Sequence, residues 1–373
     1  CAARGGTMTA MLDAPLDIFR LRQYFDVLVR ARQVADGVRA DAAFLRRVRR
    51  GLVPLPLDRH PQGVDPFPPP APLDAGGLAG RRLGVVATGG SGALASLVGV
   101  ARAMEEAGVE PAALAVCSGS SLFGFPLAAG MPAADVARFT TGLRPRDYLD
   151  PDWRKLLTLV PRAARGFAGL LKGEAIETTY RSLLGDMTLG DLPVPCYAPI
   201  WNVEQNRLEY LGPRTRPDLP VARAVRMAIA LPLFIDPVEL DGGSWCDGGI
   251  VDIFPVRPLL DLEPRPDAVA ALNGFYPAGF AGEEAPPDWR TRPLSILEVA
   301  SQVRTCQQIE LARENLRRLR AACDTVLLEP VPYQEVRGIG FYDQFVSTRD
   351  WPGFMLAGRE HTRRGLAELA QDR

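Results

Sequence analysis

Three short segments of the 373-residue chain hold residue types that could carry out nucleophilic chemistry. The first is Thr88-Gly89-Gly90-Ser91-Gly92, which follows an apolar run and precedes a predicted helix. Glycines in this position let backbone N–H groups turn toward an anion, and the helix N-terminus adds a favourable potential. That anion is either a phosphate or a developing oxyanion. No Lys-Ser/Thr pair follows, so the segment is not a P-loop, and it does not match GxGxxG.

The second segment places Ser118 on a predicted strand-to-helix turn, in Val116-Cys117-Ser118-Gly119-Ser120. A serine on such a turn exposes its Oγ above a helix N-terminus, which is the geometry of a nucleophile elbow. The strict G-x-S-x-G pattern is absent, because Val116 and Ser120 occupy the two glycine positions. An ordinary turn whose serines cap the following helix is the alternative. Ser120 is the second candidate for the nucleophile.

The third segment contains two Asp-Gly-Gly triplets, which begin at Asp241 and Asp247. Asp241-Gly242 suits the type I′ turn of a β-hairpin. Asp247 follows Trp245 and Cys246, which are typical of a strand, so we expect its carboxylate to be held at a strand end. A carboxylate in that position that faces a serine could act as a general base without a histidine.

Histidine is scarce: the chain contains only His60 and His361. This count excludes a multi-histidine metal site. His60 lies in a proline-rich stretch that would hold a catalytic base poorly, and His361 lies in a charged helical stretch. The chain order Ser118, Asp247, His361 is that of an α/β-hydrolase triad, which is the competing interpretation of the site.

The overall composition restricts the class of protein further. Lys and Arg total 43 and Asp and Glu total 44, a balance that argues against a nucleic-acid partner. The six cysteines are widely spaced and form no CxxC pair, so we expect reduced thiols and neither a zinc site nor a disulfide framework. The first residues do not resemble a secretory signal, and we expect a cytoplasmic protein.

From residue 82 onward, short apolar runs alternate with helical segments. Leu83–Ala87 and Ala113–Val116 are predicted strands, and each is followed by a Ser/Gly turn and a helix. This repeat predicts parallel strands with crossover helices, and therefore the α/β class. Further predicted elements are the strands Cys196–Trp201, Ala268–Leu272 and Thr325–Glu329 and the helices Ala93–Ala107, Arg292–Ala322 and Pro352–Ala370.

The glycine-rich loop, Ser118 and the Asp247 triplet occur in the order found in the patatin-like phospholipase family, which this chain resembles. The segment that resembles the Ala-Ile-Pro segment of that family is Ala230-Leu231-Pro232-Leu233-Phe234. The Ser118-Gly119-Ser120 elbow resembles that of group IV cytosolic phospholipases more than that of the plant patatins. The resemblance implies a three-layer α/β/α fold with a mostly parallel central sheet. In that fold, residues 82–275 form the catalytic core, and residues 276–373 form a mainly helical C-terminal part of the same domain.

The resemblance also implies a function. A serine lipid acyl hydrolase of the phospholipase A or esterase type would act through a Ser118–Asp247 dyad and an acyl-Ser118 intermediate. The substrate would be a lipid or another acyl ester, and the resemblance implies no metal and no organic cofactor. The implied oxyanion hole comprises Gly89, Gly90, Ser91 and Gly92.

This sequence departs from the family pattern at several positions. Ser91 stands at the third glycine of the oxyanion loop, Ala93 and Leu94 replace a basic residue and a glycine, and Ile253 replaces an asparagine often found after D-G-G. A catalytically impaired relative that binds lipid or a protein partner is therefore one alternative. An acyltransferase that uses the same acyl-Ser118 is another, because the sequence does not show which acceptor reaches the acyl-enzyme.

The region before the core has no counterpart in the resemblance. Residues 1–52 are predicted to form a helical extension and residues 53–81 a Pro-rich linker. Within the extension, Leu16 to Arg50 holds nine arginines and four aspartates, a net charge of +5. An amphipathic helix packed on the main domain, with its arginines in solvent, is the favoured interpretation. Peripheral contact with an anionic membrane surface is the alternative.

Overall fold

A computed structural model describes residues 63–148, 150–152, 168–169, 171–232, 234–282, 296–336, 344 and 347–371. The predicted extension at residues 1–52, with His60 and the segment Leu16 to Arg50, lies outside the described residues. Chain contacts divide the protein into two units, Cys1–Val53 with Glu284–Gln307 and Pro54–Glu283 with Gln308–Arg373. The second unit contains the whole sheet and every residue of the three segments singled out above.

An eight-stranded mixed sheet organises this second unit, in the order β5-β6-β3-β2-β1-β7-β8, with β4 paired to β3 off that path. The strands are β1 (Leu83–Ala87), β2 (Pro111–Ala115), β3 (Cys196–Asn202), β4 (Arg207–Leu211), β5 (Val238–Leu240), β6 (Gly243–Asp247), β7 (Ala268–Leu272) and β8 (Asp324–Leu328). The neighbouring strands β3, β2, β1, β7 and β8 run parallel to one another. The pairs β3–β4, β3–β6 and β5–β6 are antiparallel.

Helices connect these strands. They are α1 (Ser96–Ala107), α2 (Ser121–Ala128), α3 (Ala133–Thr141), α4 (Pro145–Tyr148), α5 (Glu174–Leu184), α6 (Val221–Ala228), α7 (Arg257–Leu260), α8 (Ile296–Ala322), α9 (Tyr333–Val336) and α10 (Trp351–Gln371). Among the described helices, none has the length and apolar character that crossing a membrane would require.

Two hydrophobic cores cover the two faces of the sheet, as the alternation of side chains along a strand requires. Val85 and Ala87 of β1 belong to one core, together with Val98 of α1 and Met355 of α10. Val86, between them, belongs to the second core, with Ile309, Leu316 and other residues of α8. The architecture is therefore three-layered α/β/α, and the predicted fold class is confirmed.

Element boundaries agree with the sequence prediction where a regular pattern sets them. β1 and β7 have the predicted limits. The helix predicted over Ala93–Ala107 differs, because Gly92–Ala95 form a 3-10 turn and the α-helix begins only at Ser96. The N–H of Leu94 donates to the Ser91 carbonyl at 3.1 Å, which tightens this first turn.

Candidate active site

Ser118 lies on the turn between β2 and α2, at the carboxyl end of the parallel strands. Its φ is +49°, a left-handed conformation that is uncommon for a residue with a side chain. Holding a non-glycine residue there costs on the order of 1–3 kcal/mol, and such strain is typical of functional turns. The next residue, Gly119, lies directly against the carbonyl of Gly90, where an added Cβ would overlap. The turn therefore presents Ser118, which is half-buried, beside the glycine-rich loop.

Ser120 stabilises this turn from within. Its Oγ accepts the backbone N–H of Cys117 at 2.8 Å and donates to the Cys117 carbonyl at 2.9 Å. Because this hydroxyl is fully buried and already paired, Ser120 is excluded as the nucleophile in this conformation. Val116 also fits the elbow, although a glycine is usual at that position. Gly124 of α2 lies against the Val116 side chain and supplies the space.

The glycine-rich loop contacts Ser118. A Cβ at Gly89 would lie 3.2 Å from Ser118 Cβ, and the N–H of Gly89 donates to the Ile253 carbonyl at 2.9 Å. Gly89 is therefore engaged, although the sequence counted it among the oxyanion donors. The N–H groups of Gly90, Ser91 and Gly92 have no acceptor among the described residues, and these three remain the candidate donors.

Asp247 is the last residue of β6, as expected from the strand-like residues before it. Its backbone N–H donates to the Ala230 carbonyl at 2.9 Å, so the Ala-Leu-Pro segment anchors this strand end. The carboxylate is almost completely buried, and its Oδ1 accepts the N–H of Gly249 at 2.7 Å. Gly248 lies against the backbone of Pro199 in β3, so the chain crosses that strand toward β2.

Cys117 lies between the nucleophile turn and the aspartate loop. Its Sγ is 3.0 Å from a Cβ built at Gly89 and 2.6 Å from one built at Gly249, and that second Cβ would lie 3.0 Å from Asp247 Oδ1. Gly249 therefore contacts both Cys117, in the Ser118 turn, and the Asp247 carboxylate. Burial, with the nearby charges of Asp247 and Asp252, raises the pKa of the Cys117 thiol well above its usual range. This thiol stays protonated and does not compete with Ser118 as a nucleophile.

Ile253 replaces the family's asparagine with an apolar contact. Its side chain packs against Gly89 and Gly249, and its carbonyl holds the Gly89 N–H. The substitution therefore keeps the aspartate loop and the glycine-rich loop in contact, although a side-chain amide is lost.

A second buried carboxyl group, Asp252, lies five residues after Asp247 and was not predicted from the sequence. Its Oδ2 accepts the Tyr210 hydroxyl at 2.6 Å, and its Oδ1 accepts the Asn315 amide at 3.0 Å. Burial raises the pKa of Asp252 to about 6, and the hydrogen bonds from Tyr210 and Asn315 oppose that rise. An aspartate within an otherwise apolar run, Ile250 to Phe254, was the available signal.

Two other sequence candidates lie away from these contacts. His361 is in α10 and makes no hydrogen bond within the described residues, so it is not paired with Ser118 or Asp247. It is half-buried, in contrast to a solvent-facing helix residue, and burial lowers its pKa. Asp241 occupies an exposed hairpin turn with φ values of +52° at Asp241 and +75° at Gly242, which is the expected type I′ geometry.

No group of three His, Cys, Asp or Glu side chains within the described residues could hold a metal ion. A cavity of about 770 Å³ is lined by Arg81, Arg265, Asp267 and Asp324, among others. Arg81 precedes β1, Arg265 and Asp267 precede β7, and Asp324 begins β8, so the cavity lies at the amino ends of the strands. Ligands of open α/β sheets bind at the carboxyl ends, where Ser118 lies, and the cavity is therefore separate from the candidate site.

Residues 85–260 match the family model described as patatin-like phospholipase. Proteins of Mycobacterium bovis and Mycobacterium tuberculosis that are named as uncharacterized NTE family proteins are 27% identical over 228 residues, which are 61% of this chain and 59% of theirs. The chain thus matches about three fifths of the length of these relatives. A lysophospholipase, NTE1, of Cryptococcus neoformans is 25% identical over 68% of this chain and 16% of its own length.

Two solved structures have a more distant similarity. VipD of Legionella pneumophila has a TM-score of 0.42 at 16% identity, over 77% of this chain and 67% of VipD. The type III effector ExoU has a TM-score of 0.38 at 16% identity, over 82% of this chain and 54% of ExoU. The family-model match covers the Ser118 turn and the Asp247 loop. The chain contains a domain at residues 85–260 that matches the patatin-like phospholipase family.

Proposed function

We propose that this protein is a serine lipid acyl hydrolase of the phospholipase A or esterase type, which acts through a Ser118–Asp247 dyad. The observation that carries the proposal is the shared neighbour of the two residues. Cys117 directly precedes Ser118, and its Sγ lies against Gly249, the residue that donates its N–H to the Asp247 carboxylate. The family and the lysophospholipase name of one relative support a lipid ester as the substrate.

In the first step, Ser118 Oγ attacks the ester carbonyl carbon while Asp247 takes the hydroxyl proton. The carbonyl π electrons move to oxygen and form a tetrahedral oxyanion. When this intermediate collapses, the bond to the alcohol breaks, and Asp247 returns the proton to the leaving oxygen. Water, activated by Asp247 in the same way, then hydrolyses the acyl-Ser118 ester and releases the acid.

The N–H groups of Gly90, Ser91 and Gly92 are the proposed oxyanion donors. Donors fixed where negative charge develops stabilise the transition state more than the ground state, and losing one typically costs about 2.7–4 kcal/mol. The serine at position 91 retains a backbone N–H, so its presence in place of glycine leaves the number of donors unchanged. We therefore propose that the protein is catalytically active and is not an impaired relative.

Labelling with a fluorophosphonate probe tests the proposal, because such probes phosphonylate activated serines. We expect peptide mass spectrometry to find the label on Ser118, and Ser118→Ala to lose both the label and at least about 10³-fold in the hydrolysis of phospholipid vesicles and a soluble ester. Ser182→Ala, an exposed serine of α5, is the matched control. Under the dyad mechanism, His361→Ala keeps wild-type activity.

Other outcomes would overturn the proposal. Failure of the wild-type protein to be labelled would favour a binding protein with an impaired site. Loss of activity in His361→Ala would favour a triad. Transfer of the acyl group to an added alcohol, amine or thiol, in preference to water, would show an acyltransferase that uses the same acyl-Ser118.

A further inference from the structure

The hydroxyl of Ser91 is bound to a side chain from the C-terminal part of the chain. Ser91 Oγ donates to Gln344 Oε1 at 2.9 Å, and the N–H of Ala93 donates to the same oxygen at 3.2 Å. Ser91 and Gln344 are 3% and 6% exposed, so both bonds are shielded from water. Bonds of this kind are costly to leave unmade, because each buried donor would then lose this partner without gaining water in its place.

Gln344 is itself held in place at both its amide and its backbone. Its Nε2 donates to the Glu335 carbonyl at 2.9 Å, and its own carbonyl accepts the indole N–H of Trp351 at 3.1 Å. Gln344 Oε1, which accepts the hydrogen bonds of Ser91 and Ala93, therefore has a defined position.

Gly92 of the glycine-rich loop lies close to both Gln344 and Trp351. A Cβ at Gly92 would overlap the indole nitrogen of Trp351 and lie 2.7 Å from the Gln344 carbonyl oxygen. A side chain at position 92 would therefore push the loop away from Gln344. Two of the candidate oxyanion donors, Ser91 and Gly92, therefore contact Gln344 or Trp351 directly.

Trp351 also contacts the helix that follows Ser118. The Trp351 and Phe123 rings meet edge to face, with centroids 5.2 Å apart, and Phe123 belongs to α2, which begins three residues after Ser118. Gln344 and Trp351 therefore contact both sides of the reaction centre, the glycine-rich loop and the helix behind Ser118.

We propose that Gln344 is a positioning residue for the oxyanion loop: by binding Ser91 Oγ and the Ala93 N–H, it keeps the N–H groups of Gly90 and Ser91 directed at the reacting carbonyl. This inference rests on the proposed function. Gln344 touches no substrate atom in this mechanism, and its effect reaches the reaction through the backbone of the loop.

The test compares Gln344→Ala with Gln371→Ala, an exposed glutamine near the end of α10. Active sites are first titrated with the fluorophosphonate probe, so that kcat is expressed per labelled serine, and thermal unfolding is measured in parallel. We expect Gln344→Ala to lower kcat on a soluble ester on the order of tenfold, with KM within about twofold of wild type. Gln371→Ala should match wild type.

Two further variants keep the proposal testable if Gln344→Ala does not fold. Gln344→Met keeps the length of the side chain and removes its hydrogen-bonding groups, and it should lower kcat to a similar degree. Ser91→Ala removes the hydroxyl partner alone. The Ser91→Ala/Gln344→Met double variant should be no slower than Gln344→Met, because both changes break the same link.

A kcat per labelled site within twofold of wild type, with only a lower melting temperature, would overturn the positioning role while the proposed function stands. Fully multiplicative losses in the double variant would contradict the Ser91 link. A wild-type protein that is neither labelled nor active would overturn both the inference and the proposed function.

Discussion

The turn that carries Ser118 and the loop that carries Asp247 are stabilised over very different distances along the chain. At the Ser118 turn, the hydroxyl of Ser120 binds both backbone groups of Cys117, three residues earlier, and the Ser120 N–H donates to the same carbonyl. These bonds need only the residues of the turn itself. The positive φ at Ser118 is thus supported locally.

The Asp247 loop depends on elements far away in the sequence. Gln308 of α8 donates to the Gly249 carbonyl at 3.2 Å, and Asn315 of the same helix donates to Asp252 at 3.0 Å. Tyr210 of β4 donates to Asp252 at 2.6 Å. These bonds reach the loop from elements that are distant in the sequence and add to the loop's own backbone bonds, such as that from the Asp252 N–H to the Gly248 carbonyl at 2.9 Å.

The Ser118 turn and the Asp247 loop therefore differ in how they are stabilised. Changes at Ser120 should alter the local turn and little else, whereas changes at the aspartate loop should alter both the position of Asp247 and the free energy of unfolding. The glycine-rich loop resembles the aspartate loop in this respect, since Gln344 reaches it from 253 residues away.

The strongest test of the comparison uses the two Asp-Gly-Gly triplets. Asp247→Asn removes the general base while it keeps the side-chain shape, and we expect kcat to fall by at least about 10³-fold. Asp241→Asn is the matched control, since Asp241 lies on an exposed turn of the same hairpin. Steady-state hydrolysis of a soluble ester measures both. Equal activity in the two variants would remove Asp247 from the mechanism.

The buried carboxyl group of Asp252 allows the stability of the Asp247 loop to be tested by changing the pH. Its pKa is about 6 in the folded protein against an ordinary value of 3.8, so the folded state binds more protons between these values. The free energy of unfolding should therefore fall as pH rises from about 4 to 6, and this one group contributes about 3 kcal/mol to that fall. In Asp252→Asn, the fall in the free energy of unfolding over this pH range should be smaller by about that amount.

Urea unfolding at several pH values between 4 and 7 measures this effect. Asp241→Asn, which removes only an exposed ion pair with Arg216, should keep the wild-type dependence of the free energy of unfolding on pH. An Asp252→Asn curve parallel to wild type across the whole range would mean that the carboxyl titrates without a cost of burial.

The smallest effect is expected at the local turn. Ser120→Ala removes the hydroxyl that bridges the Cys117 N–H and carbonyl, and the free energy of unfolding should fall by about 1 kcal/mol. Ser118 should still react with the fluorophosphonate probe at a rate within about threefold of wild type. A complete loss of labelling, with the fold intact, would mean that the turn relies on Ser120 far more than its local bonds suggest.

Several features of the fold follow from patterns that are local in the sequence. The limits of β1 and β7 follow from continuous apolar runs between polar residues, which are typical of strands covered on both faces. The hairpin at Asp241-Gly242 follows from the backbone conformations that these two residue types tolerate. The start of α1 was misplaced, since its first turn is diverted toward Gln344, which no local pattern indicates.

The amino-acid sequence by itself determined the identity of the candidate reacting groups: an elbow serine, a strand-end aspartate and a glycine-rich loop, with only two histidines, neither in a segment that suits a catalytic base. Turn chemistry and side-chain periodicity act over a few residues, and they can be read directly. The tertiary structure alone decided that Ser120 is paired, that the Gly89 N–H is engaged, and that Asp252 and Gln344 support the two loops. These features depend on which distant polar groups remain within reach once water is excluded, and residue spacing carries no record of that.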